Sequence, residues 1–277
     1  MREISPQTTF KYRPDGSCSL VHGDQKLETQ SLVSWRQRIQ EKVVIVASGP
    51  SAKDFAWDAL DRSSCTVVGV NGSPSFLADR GIQPDLWVVI DPDFTRHCSH
   101  HFEHNPKIPL ATTPMSVSHL LRHHPAAIVQ RPLALVERVN QWNGLPSLAW
   151  RQLLELNRVS GRPFLFPADS AGKSQIGWSH RPEYGLFSGC NVVFAALQIC
   201  IGLGAKELEI VGMDLGGMGR AYDEGDAPQP TTLALELENK IKPALAMMQV
   251  ALTGSGVRVT NRSPVCPLPA ELGDLTD

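Results

Sequence analysis

The run Val43-Val-Ile-Val-Ala47, followed at once by Ser48-Gly-Pro-Ser51, limits this chain more than any other feature. An unbroken apolar run of strand length has no wet face, so it fits a parallel sheet covered by helices on both sides rather than an antiparallel sheet open to water. The pattern recurs at Thr66-Val-Val-Gly-Val70, which stops at Asn71-Gly-Ser-Pro74, and at Leu86-Trp-Val-Val-Ile90, which stops at Asp91-Pro-Asp93. Pro74 suits the first turn of a helix running to about Arg80. Further strands are predicted over 108–112, 127–130, 208–212 and 257–260. Helices are predicted over 116–123, 147–158, 188–203 and 232–253, the last kinked at Pro243. Alternating strands and helices predict an α/β fold with a Rossmann-like, mostly parallel sheet.

Composition narrows the function classes. With 277 residues, 42% hydrophobic and 19% charged, the chain has the makeup of a folded protein with a sizeable core. Its 26 Lys and Arg against 28 Asp and Glu leave a formal charge of -2, so no basic field invites nucleic acid. The start is polar, and nowhere is there the run of roughly 18 apolar residues that a membrane span needs. A cytoplasmic protein is expected. The six cysteines, at 18, 65, 98, 190, 200 and 266, form no C-x-x-C pair and read as free thiols. Residues 1–41 are expected to form an N-terminal arm and 42–277 one nucleotide-binding domain, with lid loops near 159–186 and 213–231.

In an open parallel sheet, ligands bind beyond the carboxyl ends of the strands. Four strand ends here carry polar or glycine-rich turns: Ser48-Gly49-Pro50-Ser51, Asn71-Gly72-Ser73, Asp91-Pro92-Asp93 and Met213-Asp214-Leu-Gly-Gly217. Parallel strands gather all four around one cleft, and the helix opening at Ser188-Gly189 can add amides for a phosphate or carboxylate. Two familiar phosphate motifs are excluded. Gly172-Lys173-Ser174 is no P-loop, because Pro167 stands where its first glycine belongs, and no G-x-G-x-x-G follows a strand. Asp91-Pro-Asp93 suits either a divalent metal or the cap of a following helix. His97, His100, His101 and His104 share helical spacing, but with no further ligand type beside them a solvated helix face is expected. The same holds for His119, His123 and His124.

Three blocks carry a family resemblance: Val43 to Ser51, Val68-Gly-Val-Asn-Gly-Ser73 with Gly81-Ile-Gln-Pro-Asp85, and Val211-Gly-Met-Asp-Leu215 with Arg220-Ala-Tyr-Asp-Glu224. In order and spacing they resemble the lipopolysaccharide-core Kdo-III transferases of the WaaZ type, and the match returns at Asn261-Arg-Ser-Pro264. More distantly the chain is similar to the CMP-sialic-acid sialyltransferases of glycosyltransferase family 42. The resemblance implies a glycosyltransferase A variant with a lid, a CMP-activated keto-sugar acid as donor (Kdo fitting best), and inverting transfer to a lipopolysaccharide or other glycan acceptor without a metal or other cofactor. It also implies that Ser48, Gly49 and Asn71, with Pro50, Ser51, Gly72, Ser73 and Asp214, line the donor site. Ser188 and the Gly189 amide would then hold the donor carboxylate, with Tyr222 and Arg220 at the leaving phosphate.

The chain departs from the sialyltransferases at Gly216, where they place a second tyrosine, and it has no histidine over 226–235. The general base is therefore open: Asp91 is the first choice, Glu224 and Asp223 follow, and His180 is third. The expected partners are the donor and a glycan or glycolipid acceptor, with a peripheral contact at the inner membrane face and self-association left open. A pterin-type pyrophosphokinase resembles the same Gly-Pro-Ser, Asn-Gly and Pro-Asp pattern and would hold ATP and Mg²⁺ at Asp91 and Asp93. A non-catalytic nucleotide-binding module is the other alternative.

Overall fold

The computed structural model describes residues 4–104, 107–142, 146–161, 164–167, 176–215, 219–224, 233–264, 266 and 268–272. Its strands, in chain order, are β1 (Thr8–Tyr12), β2 (Cys18–His22), β3 (Gln25–Glu28), β4 (Lys42–Val46), β5 (Thr66–Val70), β6 (Leu86–Val89), β7 (Leu110–Thr112), β8 (Leu133–Leu135), β9 (Phe164–Leu165), β10 (Trp178–Ser179), β11 (Glu207–Val211) and β12 (Arg258–Asn261). The α-helices are α1 (Ser73–Ala78), α2 (Pro92–His97), α3 (His100–His104), α4 (Pro114–His123), α5 (Trp150–Ser160), α6 (Val192–Gly202), α7 (Leu233–Glu236) and α8 (Lys242–Leu252).

Seven strands form one parallel sheet in the order β12-β11-β4-β5-β6-β7-β8. The chain steps outward from β4 to β8, then returns to lay β11 on the other side of β4. The strand order therefore reverses between β4 and β11, where an α/β sheet opens its ligand crevice. Side chains alternate across the sheet as its pleat requires. Val43, Ile45, Val68 and Val88 face the layer that holds α6 and α8. Val44, Val46 and Val67 face Phe76 and Leu77 of α1, while Trp87 and Val89 join Val117 and Leu120 of α4. Burial on both faces is why these strands read as unbroken apolar runs.

α6 is apolar almost all round and lies inside the molecule, as its sequence predicts. Its wholly buried Gln198 accepts from the Ser179 and Phe187 amides and donates to the Phe187 carbonyl, so no polar atom of that amide is stranded. That network ties 176–188 into the core. Phe164 and Trp178 are buried too, and β9 pairs with β10. The described part of the expected lid at 159–186 is thus packed framework.

Residues 127–130 do not form the predicted strand. Pro125–Ala127 is a 3₁₀ turn that buries Ala127 and Ile128, and the strand begins after Pro132. Arg131 holds the turn by donating to the carbonyls of Phe102, Ile108 and Ala127. The apolar residues there face the core from a turn, a pattern that burial alone cannot distinguish from a strand. At the N-terminal end, β1, β2 and β3 form an antiparallel meander whose Cys18, Leu20 and Leu27 join the core around α4. The kink expected at Pro243 takes the form of a π-helical turn, Leu237–Ile241, running into α8. Widening the helix just before proline accommodates its missing N–H and its bulky ring.

Candidate functional site

A cleft of about 540 Å³ opens at the point where the strand order reverses. Its floor is made by the turns after β4, β5, β6 and β11, and its wall by the N-terminal end of α6 and the stretch from α7 to the π turn. Of the residues singled out from the sequence, Ser48, Gly49, Pro50, Asn71, Asp91, Ser188, Asp214, Arg220, Tyr222 and Glu224 line it.

The turns are tied together by the backbone. The Gly49 N–H donates to the Gly212 carbonyl and the Ala47 N–H to that of Val211, each at 2.8 Å. A side chain at position 49 would collide with the Gly212 carbonyl oxygen and with Asp214, so this close approach requires glycine. Asp214 accepts from the Ser51 amide at 2.9 Å and from the Ser51 hydroxyl, clamping the turn after β11 to the turn after β4. Farther along the chain, the Ala221 N–H donates to the Ser48 carbonyl at 2.8 Å. This bond folds 219–224 back over the first turn and lays the Tyr222 ring on Gly72, where any side chain would strike it. Met213 is held in turn by Ser263, whose hydroxyl accepts its N–H at 2.7 Å, which gives the Asn261-Arg-Ser-Pro264 block a place in the scaffold.

Backbone conformation marks the same place. Asn71, Cys190 and Leu215 are the non-glycine residues with positive φ among those described, and all three line the cleft. Left-handed backbone at non-glycine residues is costly and is kept where surrounding structure enforces it, commonly at ligand sites. The Asn71 backbone is enforced by Trp87, whose indole donates to its carbonyl at 2.7 Å, while its side-chain oxygen is buried without a hydrogen-bond partner. A buried acceptor without a donor is the kind of group a ligand satisfies.

Charge around the cleft is mixed. Arg220 lies 3.9 Å from Glu224, Lys240 pairs with Glu236 at 2.8 Å, and Arg138 also lines the cleft, close enough to act on the Cys190 thiol. Burial pushes the Tyr222 phenol up to about 12, against the pull of Arg220, so it stays a neutral hydrogen-bond donor across the working range. Asp91 is exposed on the rim and caps α2 by accepting from the Asp93 amide at 2.9 Å, and Asp93 pairs with Arg96.

Other expected residues do not join this lining. Ser73 is wholly buried, donating to the Val46 carbonyl at 2.6 Å and accepting from Val70, so it fastens β4 to β5. Ser51 is spent on Asp214, and Gly72 lies beneath Tyr222. Gly189, at φ 52, is pressed against Phe194, and Asp223 is exposed. His180 is at the wrong end of α6. Its carbonyl faces Gly202 at the C-terminal end, about 16 Å along an 11-residue helix from the end that meets the cleft. Gly216, Gly172-Lys173-Ser174 and most of 226–235 lie outside the described residues.

The sequence did not reveal Arg138, Asn191, Glu236 or Lys240, which reach the cleft from elements with no motif. Among the histidines expected on solvated faces, His97, His100 and His123 are exposed, and His101 is not. His97 lines the cleft, and His101, far from being solvated, is 2% exposed with its ring edge-on to Tyr222. The six cysteines are free thiols, as their spacing indicated, and Cys98 and Cys190 are on the cleft wall.

Comparison with known proteins comes at three levels. Residues 22–142 match the family model described as 6-hydroxymethylpterin diphosphokinase MptE-like. A curated relative, the probable 3-deoxy-manno-octulosonic acid transferase of Escherichia coli (strain K12), is 24% identical over 229 residues, which cover 80% of this chain and 78% of the relative. That is the transferase class the motifs resemble. Solved structures with similar chains include the sialyltransferase CST-II in complex with trisaccharide acceptor and CMP (16% identity, 84% of this chain and 85% of that one, TM-score 0.44). Another is CstII from Campylobacter jejuni with the substrate analogue CMP-3FNeuAc (14% identity, 86% and 87% covered, TM-score 0.45).

Proposed function

We propose that the protein is an inverting glycosyltransferase that moves Kdo, or a related keto-sugar acid, from its CMP-activated form to a lipopolysaccharide or other glycan acceptor. The observation that carries this reading is the return of 219–224 over the first turn, which sets Tyr222 against the Asn71–Gly72 turn and brings Arg220 into the same cleft. A departing CMP gathers charge on one phosphate while the sugar becomes oxocarbenium-like. A neutral phenol and a guanidinium fixed beside it stabilise that charge without reorganising. The curated relative supports the same reading over most of the chain.

In this account Ser48 and Asn71 hold the nucleotide, with the unpartnered Asn71 oxygen taking a donor from it. Ser188, near the start of α6, faces the sugar carboxylate, with Arg138 and Lys240 on the same wall. Asp91 takes the acceptor proton: it ends a central strand on rigid backbone and lines the cleft. The leaving group carries a single phosphate, so the transfer works without a bound metal.

The family model favours a second reading, an ATP- and Mg²⁺-dependent pyrophosphokinase acting through Asp91 and Asp93. It accounts for the turns after β4, β5 and β6 but leaves Ser188, Arg220 and Tyr222, beyond the matched residues, without a task. Asp93, paired with Arg96, is also a weakened metal ligand. Incubation with CMP-Kdo and lipopolysaccharide core oligosaccharide, read by mass spectrometry, separates the two. A product one Kdo heavier, formed in EDTA, is expected. AMP release from ATP and Mg²⁺ with a hydroxymethylpterin, and no sugar transfer, would replace this reading with the second.

A further inference from the structure

Tyr222 is held from three sides, and one of them is a histidine that the proposed chemistry does not use. The Ala221 amide anchors the chain beside it, the backbone of Gly72 supports one face of the ring, and the imidazole of His101 meets it edge-on at 4.8 Å between centroids and 74° between planes. His101 is itself fixed. Its Nδ1 lies 2.6 Å from the Ser75 hydroxyl, its other side stacks on Phe94 with centroids 5.7 Å apart, and it is 2% exposed. Ser75 belongs to α1, and its N–H donates to the Gly72 carbonyl at 3.2 Å, so the support under the tyrosine and the clamp on the histidine are parts of one turn.

We infer that His101, locked by Ser75, is a positioning residue for Tyr222: it fixes the phenol ring over the Asn71–Gly72 turn so that the hydroxyl meets the leaving phosphate. This rests on the reading of Tyr222 given above and adds the elements that aim it. A ring trapped between a backbone and a buried imidazole has little freedom to swing. An aromatic edge-to-face contact prefers this geometry over a stacked one, so the imidazole sets the tilt of the ring as well as its place. Orientation of this kind acts on turnover, because a hydrogen bond that strengthens as charge develops is lost when its donor is misaimed by about 1 Å. It leaves nucleotide affinity nearly alone, since Ser48, on the turn after β4, and the Asn71 side chain hold the nucleotide whatever the tilt of the ring.

The test is a cycle of His101→Phe, Tyr222→Phe and the double variant, with transfer from CMP-Kdo and CMP affinity measured for each. Tyr222→Phe and His101→Phe are each expected to lower kcat by about tenfold or more with KM for CMP-Kdo and CMP affinity within about threefold, and the double variant to be no worse than Tyr222→Phe alone. Ser75→Ala keeps the imidazole and removes only its anchor. It should lower kcat severalfold, again without further effect in the Tyr222→Phe background, and it carries the test if the Phe variant fails to fold. A histidine that merely stabilises the fold would give losses that multiply in the double variant, or none in kcat, and either result overturns the inference while the role of Tyr222 stands. Unchanged turnover in Tyr222→Phe would overturn the role of Tyr222 and the inference together.

Discussion

Asp214 shows how a residue read from a motif acquires its task from its neighbours. Sequence places it beside the donor, and it does line the cleft, yet its carboxylate is engaged by the amide and hydroxyl of Ser51. Asp214→Ala leaves both donors of Ser51 without a partner and is expected to cost about 1–3 kcal/mol of stability, measured by urea unfolding. Ser51→Ala should then add less in that background than it costs alone. Gly72 is the converse case. A methyl group there displaces Tyr222, so Gly72→Ala should lower kcat by about tenfold or more while CMP still binds. The histidines on α4 give a pH signature. Burial, with His123, His124, Arg96 and Arg122 nearby, lowers the His119 pKa from 6.5 to about 4. Between these values the unfolded chain binds the proton and the folded one does not, so stability falls as pH drops through that window. Urea midpoints at pH 7 and pH 5 should differ less in His119→Gln than in the unmodified protein, and an equal difference would remove the assignment.

At the scale of elements, what was legible followed from burial. β4, β5, β6 and α6 read clearly because each is apolar on every side it presents, and β5 begins and ends where its sequence says. The turn at 125–131 misled because its apolar residues also face the core, with Arg131 rather than a neighbouring strand satisfying the carbonyls around it. Turn chemistry revealed the cleft floor, since strand ends with Gly, Asn and Asp announce themselves locally. The wall did not, because Glu236 and Lys240 owe their place to a π turn ahead of Pro243, and Arg138 owes its place to a bridge between its backbone and that of Leu186. His101 was misread for a related reason: helical spacing says that residues share a face, and only tertiary packing says what covers it. Asp91, at the junction of β6 and α2, lets two roles be separated. Asn is as good an N-cap as Asp, so Asp91→Asn should retain thermal stability and CMP binding while abolishing transfer. Normal transfer by that variant would leave Asp91 as a cap and nothing more.

Across the whole molecule, the architecture gathers into one crevice residues that are far apart in the chain. The reversal of strand order between β4 and β11 opens it, and the return of 219–224 over the first turn furnishes it. The described part of 159–186 braces α6 from behind, and no helix among the described residues is long and apolar enough to cross a membrane. The central claim is that this crevice takes a CMP-activated sugar, and the most direct test is thermal unfolding with CMP, CDP, UDP or ATP, each in EDTA and in Mg²⁺. A ligand that binds only the native state at about 100 times its Kd adds about 2.7 kcal/mol, on the order of 5 °C for a chain of this size. The account predicts that shift for CMP in EDTA as in Mg²⁺, with little from ATP. Stabilisation by ATP alone, and only in Mg²⁺, would contradict it.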